Sequence, residues 1–178
     1  MARHLRRRDI DQVYEALFMN MITSFEAFLE DLFVGLLVDG QGFTTSARGF
    51  ARRTTIRTWR IAREMVIGPG GQYADWLPLK RTKDRANLFF RGGKPFTGAT
   101  PADDRLIGRL LVIRNVIAHR SRFSQKKFET VALSGTFLPP RDRNPAGYLR
   151  SPFRANPYQT RYENLAADLL LLARRLAR

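Results

Sequence analysis

A periodic apolar pattern near the start of the chain constrains the fold more than any other feature. From Asp9 to Val38 apolar residues recur at steps of three and four, which is the spacing of one face of an amphipathic α-helix. The residues that set the pattern are Ile10, Val13, Leu17, Met21, Phe25, Phe28, Leu32 and Leu36. At about 1.5 Å per residue the helix would be about 45 Å long, and a helix of that length usually spans a bundle or a dimer. Asp39, Gly40 and Gly42 end it, because glycine is preferred just past a helix C-terminus.

Terminal signals indicate three further helices. One is predicted from Leu79 to Arg91, after a proline and before two glycines. The stretch Thr100-Pro101-Ala102-Asp103-Asp104 begins the central helix with a hydroxyl cap, a proline at the first helical position and two carboxylates at the positive end of the dipole. Thr160 and Glu163 form a capping box for the last helix, although Asn156-Pro157 offers an earlier start. Its core stripe is Leu165, Leu169, Leu172 and Leu176.

These segments predict an all-α fold, most simply an up-and-down bundle of four to five helices. The 178 residues fit a single domain, with residues 1–8 as a flexible tail. A proline-dense insertion over residues 134–156 can be neither a helix nor a central strand, so we expect an ordered excursion or a mobile arm. It is either a flexible surface loop or a basic flap that closes on a polyanion.

The charge of the chain is strongly positive, since 31 Lys and Arg residues against 16 Asp and Glu residues leave +15. Such an imbalance favours polyanions as partners, with nucleic acid the first choice and an anionic membrane the second. Most of the charge is arginine, whose planar fork matches phosphate oxygens. The arginines expected to bind RNA are Arg52, Arg53, Arg57, Arg60, Arg122, Arg141, Arg143, Arg150 and Arg154. The alternative is a basic protein whose charge only keeps it soluble.

Four of these arginines lie between Thr44 and Ile67, where basic side chains alternate with aromatic and apolar ones. We interpret this segment as helical, although its run of β-branched residues favours extended backbone. It suits a nucleic-acid groove, in which arginine meets phosphate and a ring stacks on a base. The alternative is an exposed arginine face over a Trp59 that is anchored in the core.

Several classes of protein are disfavoured. The chain has no cysteine, which suits a reducing compartment. Ile10, Asp11 and Gln12 follow the basic opening residues, where a signal peptide would have an apolar region. No apolar run approaches the roughly 18 residues of a membrane-spanning helix, so we expect a cytoplasmic protein with no membrane partner. With two histidines and no spaced carboxylate cluster, neither a metal nor another cofactor is expected.

The central helix carries the candidate site. Between Leu106 and Arg120 an apolar sequence is interrupted by Arg114, Asn115 and His119, and polar groups are costly to place in a protein interior. On a helical wheel, one face that we assign to the core is formed by Leu106, Leu110, Ile113 and Ile117. The opposite stripe is formed by Gly108, Val112, Asn115 and His119.

This second stripe predicts a subunit contact. It is mostly uncharged, so we expect the helix to be buried on both sides, and Gly108 would let a second helix approach closely. A two-fold pairing brings His119 of each chain near its partner. The only other histidine is His4, in the predicted tail, so a mechanism that uses two histidines requires two chains.

The three polar residues fit the cleavage of RNA without a metal. That reaction needs a base for the 2′-hydroxyl, an acid for the leaving oxygen and a fixed cation for the charge on the phosphoryl oxygens. His119 can serve as base or acid, and its position near a helix C-terminus tunes its ionisation. Arg114 is the fixed cation, and Asn115 can orient the imidazole or donate to phosphate.

The sequence Arg114-Asn115-Val116-Ile117-Ala118-His119 resembles the motif of the HEPN superfamily, an arginine followed after four to six residues by histidine. The stretch Phe25-Glu26-Ala27-Phe28-Leu29 is similar to the first helix of that family, and the segment from Trp76 to Arg120 resembles HEPN proteins of bacterial and phage defence. The resemblance implies a helical bundle that dimerises across the motif helix and a metal-independent endoribonuclease. It also implies a toxin or anti-phage role, with a cognate antitoxin or regulatory protein, and suggests Glu26 and Arg120 as supporting residues.

Other interpretations of the same residues stay open. His119 could end its helix by capping free carbonyl groups, and Arg114 could form a salt bridge with Glu26 or Glu30. The alternative function is a non-catalytic, basic RNA- and DNA-binding module of the same fold. A peripheral membrane protein is a weaker third interpretation, because no basic face is backed by an exposed apolar one.

Overall fold

The computed structural model of the chain describes residues 6–39, 42–68 and 74–178. These residues are mostly helical, which confirms the predicted all-α class, and their only sheet has two strands. The helices are α1 (Arg7–Leu37), α2 (Trp59–Ile67), α3 (Leu79–Phe89), α4 (Pro101–His119), α5 (Arg122–Val131), α6 (Pro145–Arg150) and α7 (Arg161–Leu176). The antiparallel strands are β1 (Pro152–Arg154) and β2 (Gln159–Thr160). The seven described α-helices exceed the four or five that were expected, because α5 and α6 were not predicted.

The described residues form two compact units, and each contains part of α1, α4 and α7. The first unit comprises the described residues up to Thr23 together with Gly108–Leu169. The second comprises Ser24–Ile107 and Leu170–Arg178, apart from residues 40–41 and 69–73, which lie outside the described ranges. Gly40 and His4 therefore lie outside the described residues. Arg7 and Arg8, which were assigned to the flexible tail, begin α1.

The second unit is built on the C-terminal half of α1, where every residue from Leu32 to Val38 is buried. Phe33 is fully buried, and its ring lies 5.0 to 5.7 Å from four other aromatic rings, measured between centroids. Those rings belong to Trp76, Phe89, Phe90 and Phe96. Aromatic clusters of this kind bury large apolar areas and account for much of the core.

The predicted helix over 44–67 is wrong in its first two thirds. Residues up to Thr58 are irregular, because their backbone pairs with neighbouring elements instead of with itself. The Ile56 amide donates to the Leu37 carbonyl at 3.2 Å, and the Asp39 amide donates to the Ile56 carbonyl at 2.9 Å. The β-branched run at 54–56 favours this extended backbone. The helix begins only at Trp59, where the Thr58 hydroxyl accepts a hydrogen bond from the Ile61 amide at 3.4 Å.

Both predicted helix caps are confirmed. At the start of α4 the Thr100 amide and hydroxyl each donate to Asp103 Oδ2 at 2.8 Å, and the Asp103 amide donates to Thr100 Oγ1 at 3.3 Å. At the start of α7 the Thr160 amide donates to Glu163 Oε2 at 2.7 Å, and the Thr160 hydroxyl donates to the same oxygen at 2.9 Å. These bonds lower the pKa of the Glu163 carboxyl. The earlier start at Asn156-Pro157 is not used, since α7 begins at Arg161.

The proline-rich insertion contains a helix, contrary to the prediction. Asn144 caps α6 by accepting from the Gly147 amide at 2.8 Å, and Pro145 occupies the first helical turn, where the missing amide costs nothing. The insertion is also held to α1 by charge. Arg150 donates to Asp142 at 2.7 Å and lies 3.6 Å from Asp11, and Arg7 donates to the same Asp142 carboxylate. These contacts favour the first of the two predicted forms, an ordered excursion over a mobile arm.

Candidate functional site

The candidate motif lies at a tight corner between α4 and α5. α4 ends at His119, and the Arg120 amide still donates to the Val116 carbonyl at 3.1 Å. Arg120 then turns the chain through a left-handed conformation with φ of 45°. Ser121 begins α5 at once, because it forms a capping box with Ser124 in which each side chain accepts from the other residue's amide at 3.1 Å. The corner therefore fixes His119 at the C-terminal end of α4, within the first unit.

Two of the three polar residues of the motif lie on the surface of the chain. Asn115 and His119 are exposed, whereas Ile107, Leu110 and Ile113 on the same helix are fully buried. The expectation of polar groups placed in an apolar interior is therefore wrong for the single chain. Of the four residues assigned to the core face, Leu110 and Ile113 are buried by this chain itself, whereas Leu106 and Ile117 are half-buried.

That open stripe is formed by Gly108, Leu111, Asn115 and His119, of which the first two are half-buried. A Cβ atom added at Gly108 would meet no atom within 4 Å, so the helix surface there is unobstructed. The structure corrects one member of the predicted stripe. Val112, assigned to a dimer face, is only 8% exposed and is therefore part of the interior of its own chain.

Arg114 does not share the stripe. It is half-buried on the flank of α4, and five residues of helix turn its side chain by about 140° from His119. Asn115 and His119, four residues apart, differ by only about 40°. Glu26, proposed as a supporting residue, belongs to the second unit and is buried at 8% exposure. Arg120 is exposed and lies 3.4 Å from the Glu15 carboxylate, so it is partly engaged within the chain.

The corner is basic because acids are missing from its sequence. From Arg105 to Phe128 there is no Asp or Glu, while the same stretch contains seven Lys and Arg residues. Four of the basic residues lie at the corner or on α5 just after it, and all four are exposed. They are Arg120, Arg122, Lys126 and Lys127. This acid-free run is a signal in the sequence that the motif alone does not convey, and it favours a polyanion at the α4–α5 corner.

A cavity of about 810 Å³ lies beside the corner in the first unit. Basic side chains line one part of it, and acidic side chains from α1 and α5 line another. The charged lining residues are Asp11, Glu15, Arg120, Arg122, Lys126 and Glu129. Val116, Pro145 and Ala146 form an apolar wall. This size and mixed lining suit a polar, partly charged ligand group such as one nucleotide unit.

The arginines that were expected to bind RNA fall into two groups. Arg52 and Arg150 are half-buried and engaged inside the chain: Arg52 donates to the carbonyl groups of Leu36 and Phe43, and Arg150 pairs with Asp142. Because their guanidinium groups are engaged within the chain, these two are less accessible to a phosphate than the other seven. The remaining seven are exposed, namely Arg53, Arg57, Arg60, Arg122, Arg141, Arg143 and Arg154, although Arg60 pairs with Glu64 at 2.9 Å.

One candidate residue was missed by the sequence analysis. Phe123 lies on the first turn of α5 and is 78% exposed, beside the exposed cations of the corner. Its position could have been found from the sequence, because Ser121 and Ser124 form a capping signal and place Phe123 and Lys127 one turn apart on the helix that follows.

Within residues 6–39, 42–68 and 74–178, no three His, Asp or Glu residues are grouped so that they could hold a metal ion. None of the helices in the same ranges is long and apolar enough to cross a membrane. Comparisons of the chain with protein-family models, curated proteins and solved structures gave no match.

Proposed function

We propose that this chain is an endoribonuclease whose active site is completed by a second copy of the chain. One observation carries the proposal: Asn115 and His119 lie one turn apart, both exposed, on an unobstructed stripe of α4 that ends in a corner with several exposed cations. A titratable imidazole and an amide beside several cations are the groups that phosphodiester cleavage requires. The resemblance of Arg114 to His119 to the HEPN motif supports the same reaction.

The reaction needs no group beyond those side chains and the RNA itself. A neutral His119 imidazole takes the proton of a 2′-hydroxyl, whose oxygen then attacks the adjacent phosphorus. The bond from phosphorus to the 5′-oxygen breaks, and that oxygen leaves with a proton from a second, protonated imidazole. The products are a 2′,3′-cyclic phosphate and a 5′-hydroxyl. Asn115 orients the imidazole or donates to the phosphate, and Arg114 stabilises the charge on the phosphoryl oxygens.

Two copies of the chain account for features that one copy leaves unexplained. The side chains of Arg114 and His119 diverge by about 140° around α4, so a single helix does not present both to one phosphate. Pairing two α4 helices along the open stripe brings together two imidazoles and lets an arginine act across the interface. A two-fold contact of this kind is self-complementary, and Gly108 allows the close approach. The toxin or anti-phage role, and with it a cognate antitoxin, rests on the HEPN resemblance alone.

The test is a cleavage assay on single-stranded RNA in EDTA with wild-type protein, His119→Ala and His4→Ala. The last variant is the matched control, because it removes the only other histidine. Removing a general base or acid typically lowers the rate by about 10²- to 10⁴-fold. The cleavage rate of His119→Ala should therefore fall by at least that amount, while His4→Ala cleaves RNA at the wild-type rate. DNA, which lacks the 2′-hydroxyl, should survive, and RNA fragments should end in a cyclic phosphate. Equal cleavage by wild-type protein and His119→Ala contradicts the proposal.

A second candidate, a non-catalytic module that binds RNA and DNA, is favoured by the exposed cations at the start of α5. It predicts binding that weakens steeply with salt and does not depend on His119. Wild-type protein and His119→Ala distinguish the two candidates. If the chain is a binding module, the wild-type protein binds RNA and DNA alike without cleaving RNA, and His119→Ala binds both with the same affinity as wild type.

A further inference from the structure

The outer face of α5 combines an aromatic ring with basic side chains. Phe123, Lys126, Lys127 and Thr130 follow the helical spacing of three, four and seven residues, so they share one face, and all four are exposed. The ring of Phe123 lies at the N-terminal end of this face, and Lys127 Nζ lies 5.9 Å from its centroid. Arg122 is exposed on the flank of the same turn.

Packing does not explain the exposed ring. The inner face of α5 buries Ser124, Phe128 and Ala132, and the Phe128 ring packs edge-on against Tyr148 of α6 at 5.9 Å. These contacts hold the helix without Phe123, which is 78% exposed. A lone exposed aromatic residue is common and needs no function. Here, however, the ring is bordered by three cations in a stretch that has no acid before Glu129.

We propose that the outer face of α5 binds single-stranded RNA, with one unpaired base stacked on the Phe123 ring and Arg122, Lys126 and Lys127 holding the phosphates on either side. Stacking on an aromatic ring combined with a basic track for the backbone is how proteins bind single strands without sequence preference. Bases in a duplex are already stacked and cannot reach the ring, so the face should discriminate against duplex RNA. The proposal rests on the proposed function, because it assigns the substrate class of the same site.

The chain offers a matched control for the ring. Phe137 is also in the first unit and is 94% exposed, but no charged residue lies between Ser134 and Pro140. Phe123→Leu and Phe137→Leu both keep an apolar side chain and remove a ring from the surface. Because neither ring is buried, neither change should alter the thermal unfolding midpoint, and that measurement verifies that both variants are folded.

The experiment measures binding of labelled oligonucleotides by fluorescence anisotropy, with His119→Ala as the background so that nothing is cleaved. The probes are a single-stranded oligouridylate, the same length of duplex RNA and an abasic strand with the same number of phosphates. Loss of one stacked base should raise the Kd of Phe123→Leu for oligouridylate by about 5- to 150-fold. The Kd for the abasic strand should be unchanged, since no base is present to stack, and Phe137→Leu should match the background for all probes.

Three results would overturn the proposal. One is an unchanged Kd of Phe123→Leu for oligouridylate. Another is an equal loss for the abasic strand, which assigns the effect to the backbone and not to a base. The third is a Phe123→Leu protein that has become a monomer in solution but still binds oligouridylate as tightly as the background protein. Phe123 would then contact a second protein chain and not a base.

The outcome is separable from that of the nuclease proposal. If His119→Ala abolishes cleavage while Phe123→Leu binds oligouridylate normally, the nuclease proposal is supported and the stacking proposal is contradicted. If Phe123→Leu weakens binding of oligouridylate but neither wild-type protein nor His119→Ala cleaves RNA, the stacking face stands as a binding surface and the nuclease proposal falls.

Discussion

An arginine is available to nucleic acid only if its guanidinium is not already used inside the chain. The charge of +15 predicts a polyanionic partner, but it does not distinguish Arg150, which pairs with Asp142, from Arg143, which is exposed. The sequence does not separate them, because both lie in the same proline-rich insertion and Asp142 is near both of them along the chain. What separates them is the fold of the insertion, which brings the Arg150 side chain to 2.7 Å from Asp142 and to 3.6 Å from Asp11 on α1.

Asp103 is the residue whose charge should make stability depend on pH. Burial acts to raise the pKa of its carboxyl, but hydrogen bonds from the Thr100 amide and hydroxyl and from Arg175 outweigh burial and lower it below its ordinary value of 3.8. A lowered pKa in the folded state means that the stabilisation is fully present above that ordinary value. It is lost as the pH falls further, through the lowered pKa of the folded state.

We expect Asp103→Asn to lower the free energy of unfolding by about 1 kcal/mol or more at pH 7. The remaining acceptor oxygen loses its charge, and the other oxygen is replaced by an NH2 group that cannot accept a hydrogen bond from Thr100 or Arg175. Urea unfolding at pH 7, 5 and 3 measures the effect. The difference from wild type should be equal at pH 7 and 5 and smaller at pH 3. Asp104→Asn, on the same helical turn, is the control, because its exposed carboxylate forms a surface ion pair with Lys83 at 2.8 Å and exposed pairs contribute little to stability. A difference that grows in acid contradicts this assignment.

At the scale of elements, the α4–α5 corner depends on one residue. The Ser121 hydroxyl accepts a hydrogen bond from the Ser124 amide, and the Ser121 amide donates one to the Ser124 hydroxyl. These bonds satisfy backbone amides at the start of a helix of only ten residues. We expect Ser121→Ala to cost about 1 kcal/mol of unfolding free energy, measured in urea. Ser134→Ala, at an exposed site in a turn, should change it by less than about 0.5 kcal/mol. Equal effects of the two substitutions would mean that the capping box contributes nothing.

Long or well-capped helices could be predicted from the sequence, and short ones could not. α1 was expected over 9–38 and extends over Arg7–Leu37, because a periodic pattern of that length has no competing structure. α5 buries only Ser124, Phe128 and Ala132 along its inner face, which is too weak an apolar stripe to detect. The start of α6 could have been predicted, because Asn144-Pro145 is a helix-start signal. The many prolines of the insertion argued against any helix there. At 44–58 the backbone partners are distant in sequence, so propensity alone could not exclude a helix.

At the scale of the whole molecule, periodicity predicts that a residue is buried but not which chain buries it. The stripe that was assigned to a subunit contact contained Gly108, Val112, Asn115 and His119. The chain itself buries Val112 and leaves Asn115 and His119 exposed. The sequence therefore predicted the position of the motif at the end of a helix, but it did not predict which residues of that helix this chain buries. The second copy of the chain remains a prediction. It is testable at Gly108, where a larger side chain should leave folding intact but block the pairing of two α4 helices.

Gly108 should be dispensable for folding and essential for activity. A Cβ at this position meets no atom within 4 Å, and its helical backbone accepts any residue, so Gly108→Gln should fold and gain up to about 1 kcal/mol from better helix propensity. The longer side chain would hold a second α4 away from the stripe. We expect this variant to be a monomer by light scattering and to cleave RNA as poorly as His119→Ala. Ala167→Gln, at an exposed site on α7, should change neither mass nor cleavage. A fully active monomeric Gly108→Gln would mean that one chain contains the complete site.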